Sequence, residues 1–77
     1  MVMFRDFVQR KARRLDIEGT VKNLPDRSVE VIAQGNEDVL LKLITRLQKG
    51  PFLARVSRVD VKWREPKESY TGFTIIY

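Results

Sequence analysis

At 77 residues the chain makes one small domain, and its composition, 43% hydrophobic and 32% charged, is that of a globular protein and not of a fibre or a disordered tail. It has no cysteine and no histidine, which excludes disulfides, zinc sites built from those side chains, thiol nucleophiles and every Ser-His-Asp arrangement. The formal net charge of +5 points to an anionic partner (nucleic acid, a phosphate ester or acidic lipid), although a solvated basic surface accounts for the same number.

Any chemistry therefore rests on Arg, Lys, Asn, carboxylates, hydroxyls and backbone amides. No apolar run approaches the ~20 residues that span a bilayer. Arg5 and Asp6 interrupt the stretch where a signal peptide would be apolar. A cytoplasmic protein with no membrane partner is expected.

In chain order, Phe4, Phe7, Val8, Ala12 and Leu15 lie on one face of an amphipathic helix ending near Asp16, with Arg10, Arg13 and Arg14 opposite. Arg5 stands near the start of that helix, where the dipole favours anions, so it is misplaced as a cap. Residues 18–34 read as a β-hairpin whose turn, LPDRS (24–28), takes its chemistry from Pro25 and Asp26. Asn36 is placed to cap a second helix, with Glu37 and Asp38 in its first turn. Its apolar stripe of Val39, Leu40, Leu43, Ile44 and Leu47 runs to a stop at Gly50-Pro51. Val59, Val61 and Trp63 alternate with Asp60, Lys62 and Arg64, which predicts a strand, and Phe73, Ile75 and Tyr77 predict a last short one. Trp63 and Phe73 are expected in the core.

Helix, strand, strand, helix, strand, strand is an α+β order, with two helices on one face of a mainly antiparallel sheet. It fits a ferredoxin-like βαββαβ sandwich with the N-terminal strand missing.

Four stretches carry a resemblance that runs over the whole chain. VMFRDFVQRKA resembles the end of the acylphosphatase family's phosphate-binding loop, G-x-V-Q-G-V-x-F-R, followed by its first helix, with Val2, Met3, Phe4 and Arg5 matching the closing V-x-F-R. EGTVKNLPDRSVEVIAQG is similar to the hairpin that carries the family's key asparagine, here Asn23, at the family's separation of 18 positions from Arg5. ARVSRVDVKW and GFTIIY look like the last strands. Thr20 stands where the family usually has Trp, and Gly35-Asn36 where it has Gly-Pro. The loop's first half and the strand before it have no counterpart, and Met1 occupies the place of the loop's second glycine.

The resemblance implies hydrolysis of acyl phosphates without metal or cofactor. Val2, Met3, Phe4 and Arg5 would bind phosphate, and Arg5 and Asn23 would be catalytic, Asn23 by ordering the attacking water. A planar guanidinium grips two phosphate oxygens and stays charged at any working pH. Acyl phosphates are already activated, so positioning and charge stabilisation suffice without a histidine. The missing amides imply activity below that of an intact relative, since misplacement by about 1 Å costs on the order of a hundredfold. In the family's sheet the first strand is central, so its lack exposes strand edges and implies a homo-oligomer.

Blander readings stand beside these. Arg5 is otherwise a solvated terminal arginine, and Asn23 before Leu-Pro-Asp is otherwise a turn residue. Arg10, Lys11, Arg13 and Arg14 form a solvated face rather than a nucleic-acid surface, because the hairpin carries Val and Ile where base-stacking aromatics would be needed. The alternative function is a non-catalytic module of the same fold that binds an anion, nucleic acid or another copy of itself.

Overall fold

The computed structural model describes residues 2–51, 56 and 58–77. Helix α1 (Val2–Arg14) is followed by strands β1 (Glu18–Asn23) and β2 (Val29–Gln34), helix α2 (Glu37–Lys49) and strand β3 (Phe73–Ile76). The three strands form one sheet in the order β2-β1-β3. The β1–β2 pairing is antiparallel, from Glu18 opposite Gln34 to Asn23 opposite Val29. The β1–β3 pairing is parallel, from Gly19 beside Phe73 to Lys22 beside Ile76. The sheet is thus mixed, with both helices packed on it, the α+β arrangement that the pattern of elements predicts.

Helix α1 ends in a Schellman motif. Ile17 N–H donates to the Ala12 carbonyl at 2.9 Å and Asp16 N–H to the Arg13 carbonyl at 3.1 Å. Asp16 takes the left-handed conformation this motif requires, at φ 54°, where glycine is the usual residue. The turn delivers Ile17 into the core beside Val8, Ala12, Val21, Leu43, Leu47 and Phe73. It also reverses the chain, so that β1 runs back beneath α1.

The hairpin turn is built by Asp26, whose carboxylate accepts from the Ser28 N–H at 2.9 Å and the Ser28 hydroxyl at 2.6 Å. Leu24 N–H closes the turn on the Ser28 carbonyl at 2.9 Å. Helix α2 starts after Asn36 as expected, although the Asn36 side chain makes no cap hydrogen bond. It ends at Gly50, φ 70°, whose N–H reaches the Arg46 carbonyl. Leu43 and Leu47 bury the predicted stripe. No helix among the described residues is long and apolar enough to cross a membrane.

Two expectations fail together. The alternating run 59–64 forms no strand, and Trp63 is 56% exposed instead of lying in the core. Alternation is a local pattern, whereas a strand is stable only with a partner to satisfy its amides, and here the described residues supply none. Phe73, which has β1 beside it, is buried as expected. The preceding ARVS (54–57) lies largely outside the described residues.

Strand β1 is central, and β2 approaches it closely at Gly19. Gly19 sits at φ 149°, and a Cβ there would meet the Ile32 carbonyl oxygen at 1.8 Å. Gly19→Ala is therefore expected to cost about 3 kcal/mol or more, read from the shift of a urea unfolding curve. The turn makes a pH prediction. Hydrogen bonds from the Ser28 hydroxyl and N–H hold the Asp26 carboxyl below its ordinary value of 3.8. A depressed carboxyl stabilises the fold above its unfolded value, and the contribution is lost as pH falls through the folded one. The Asp26 carboxyl resonance should titrate below 3.8 in NMR, and Ser28→Ala should move that midpoint back up.

Candidate functional site

Register places the two predicted functional residues at one end of the fold. Gln9 Nε2 and Arg13 Nε, one turn apart on α1, both donate to the Phe73 carbonyl, at 3.2 Å and 3.3 Å. From Arg13 back to Arg5 is eight residues, about 12 Å of helix. From Phe73 forward to Tyr77 is four residues, about 13 Å of extended chain. The two paths arrive together, and the Arg5 guanidinium lies 4.8 Å from the centre of the Tyr77 ring. Tyr77 follows Ile76, which pairs with Lys22, so the next residue across on β1 is Asn23. Adjacent strands are about 4.8 Å apart, which brings Asn23 to the neighbouring position at the same sheet end.

The burial of the two is more telling than their position. The Arg5 side chain is only 12% exposed, yet its Nε has no hydrogen-bond partner. Asn23 Oδ1 is likewise buried and unpartnered, and these are the two such side-chain atoms among the described residues. A buried polar group left unpaired costs about 1–3 kcal/mol, so the fold tolerates here what it avoids elsewhere. Asp6 Oδ1 lies 3.5 Å from Arg5 Nε, close enough for an ion pair and outside hydrogen-bond geometry. That contact is half-exposed and weak. The stack on Tyr77, itself an exposed residue, is worth about 0.5–1 kcal/mol. Neither saturates the guanidinium.

Arg5 forms part of the wall of a cleft of about 550 Å³ that also takes in Met3, Asp6, Arg10, Ile75 and Tyr77. Asn23 is not on that wall. The cleft thus brings together Met3 and Arg5 of the predicted phosphate-binding set. Helix α1 extends back to Val2, so Val2, Met3, Phe4 and Arg5 form its first turn instead of a separate loop. The backbone N–H groups at the very start of a helix have no partner within it, and no acidic side chain occupies the first turn of α1. Met3 is exposed, whereas Phe4 turns away and packs on Phe7, their ring centres 5.9 Å apart. Its side chain is engaged with the core and offers nothing to an anion. What is assembled is a positive helix end, a desolvated guanidinium and an amide oxygen at one end of the sheet, an arrangement suited to an anion with a water beside it.

The turn reading of Asn23 loses ground here, since the turn is made by Asp26 and Ser28 and Asn23 Oδ1 bonds to nothing. Sequence reasoning missed Tyr77, Gln9 and Arg13 as supports of Arg5. Each acts across 60 residues or more, and no local pattern marks a contact of that range. If Asn23 serves a ligand and not the fold, Asn23→Val should raise stability by about 1 kcal/mol in urea unfolding by removing a buried unpaired carbonyl. A structural asparagine would give a loss.

The acylphosphatase family profile matches residues 1–75. Acylphosphatases of Salinibacter ruber and Thermococcus kodakarensis are each 45% identical to the chain. The first match covers 96% of this chain and 78% of the relative, the second 97% and 81%. The crystal structure of acylphosphatase from Bacillus subtilis superposes with a TM-score of 0.93 at 33% identity, covering 99% of this chain and 84% of that one.

Proposed function

This chain belongs to the acylphosphatase family, and we propose that it hydrolyses acyl phosphates with Arg5 and Asn23 as the working side chains. The observation that carries this reading is the pair of buried, unpartnered polar atoms, Arg5 Nε and Asn23 Oδ1, at one end of the sheet. Arg5 and the free N–H groups of the first turn of α1, at Val2, Met3 and Phe4, hold the phosphoryl oxygens. Asn23 Oδ1 accepts a hydrogen bond from water and orients it toward phosphorus.

The attacking oxygen forms a bond to phosphorus as the bond from phosphorus to the acyl oxygen breaks. The carboxylate leaves with the bonding pair, and both hydrogens of the water end on inorganic phosphate. A carboxylate is a stable anion at neutral pH, with an ordinary pKa of about 4, so it leaves without a general acid. A chain lacking histidine can therefore run this reaction by positioning and charge stabilisation alone, without a metal or cofactor. We also place the protein in the cytoplasm and read it as working in more than one copy, the latter because one edge of β2 has no partner among the described residues.

The test is hydrolysis of benzoyl phosphate by the purified chain in excess chelator, beside Arg5→Ala and Asn23→Ala. Arg5→Ala should lower kcat/KM by about a hundredfold or more and weaken inhibition by inorganic phosphate. Asn23→Ala should lower kcat while phosphate inhibition persists. Turnover that survives Arg5→Ala in a folded protein would overturn the assignment, and turnover lost to chelator would overturn the metal-free reaction.

A further inference from the structure

Arg5 is not the only charge on the wall of its cleft. Asp6 and Arg10 line it too, and the proposed hydrolysis uses neither. Asp6 is the one acid among the thirteen residues of α1. An acid that served the helix dipole would stand in the first turn, and that turn holds none. Asp6 Oδ1 lies instead 3.5 Å from Arg5 Nε, the buried nitrogen that has no hydrogen-bond partner. The two side chains differ in freedom, since Asp6 is 49% exposed and Arg5 only 12%. Burial and the Tyr77 ring hold the guanidinium in place, whereas the carboxylate beside it can turn away at little cost.

Arg10 gives that carboxylate somewhere to turn. It follows Asp6 by four residues, the spacing at which an acid and a later base meet on a helix. Its Nε donates to the Asp6 carbonyl at 3.4 Å, so the Arg10 side chain lies back over residue 6. Arg10 is itself exposed, and its guanidinium is open to a partner from the cleft.

Resting on the reading of Arg5 as the phosphate-binding cation, we propose that Asp6 is a resident counterion that competes with the anion for Arg5, and that Arg10 draws it aside when the anion enters. With the site empty, Asp6 partly offsets the charge of Arg5. A phosphoryl group at Arg5 meets the negative charge of Asp6 at short range, and the carboxylate relieves that repulsion by turning to Arg10. The same repulsion acts on inorganic phosphate after the acyl group has left, so Asp6 loosens the hold on product. Asp6 is a positioning residue, for no bond forms or breaks at it.

The experiment is a titration of the purified chain with inorganic phosphate, followed by phosphorus NMR, with Asp6→Asn, Arg10→Ala, their double variant and Arg5→Ala. Asp6→Asn should lower the phosphate dissociation constant about fivefold, and the gain should shrink in high salt because it is a charge effect. In turnover of benzoyl phosphate the same variant should lower KM without raising kcat. Arg10→Ala should weaken phosphate binding in the native chain and weaken it less in the Asp6→Asn background, where no carboxylate needs drawing aside. A phosphate affinity unmoved by Asp6→Asn, while Arg5→Ala abolishes binding, would overturn the counterion and leave the role of Arg5 standing. An Arg10→Ala effect of equal size in both backgrounds would overturn the part given to Arg10. Binding that survives Arg5→Ala in a folded protein, or no binding by the native chain, would overturn the reading of Arg5 and this inference with it.

Discussion

The Phe73 carbonyl oxygen accepts hydrogen bonds from Gln9 and Arg13 together, and the place of α1 along the sheet follows from it. Hydrophobic burial alone does not set that place. Val8 and Ala12 of α1 are fully buried over Val21 and Phe73, but apolar contact is non-directional and would tolerate sliding. Two directed bonds to one oxygen do not. With the helix held there, the two-turn reach from Arg13 delivers Arg5 to Tyr77 and to the sheet end that carries Asn23.

The same packing explains how a cation comes to be buried near the positive end of its own helix. In a domain this small, an unpaired buried guanidinium nitrogen and an unpaired buried amide oxygen take a large share of a net stability of about 5–15 kcal/mol. Natural folds retain such groups where a ligand repays them. The two buried, unpartnered atoms of Arg5 and Asn23 are of the kind that the proposed anion and its attendant water would satisfy.

The remainder of the chain shows what happens when a pattern lacks its counterpart. Val59, Val61 and Trp63 alternate as cleanly as Val29, Val31 and Ala33, yet only the second set is in a strand. The difference lies in the neighbour. β2 has β1 beside it in register from end to end, whereas nothing among the described residues lies beside 58–63. Gln34, at the close of β2, bonds through its side chain to the Glu68 carbonyl and the Tyr70 N–H. That bridge holds residues 68–70 at the sheet without adding a rung to the ladder.

What the sequence determined by itself was local or periodic: both helices, the hairpin, the cap at Gly50, the buried stripe of α2, and the residue types available for chemistry. These follow from side-chain spacing and turn preference, which act over a few residues. The resemblance to a family added Arg5 and Asn23 as a pair, since their spacing alone does not separate a site from a turn and a terminus. Only the tertiary structure decided that Arg5 is buried with its Nε unpaired, that Tyr77 stacks on it, and that Asn23 is not the turn residue. It also decided that 59–64 is no strand and that Trp63 faces solvent. Each of these depends on which distant residue arrives alongside, and burial and pairing are properties of that arrival, not of the residue or its neighbours in the chain.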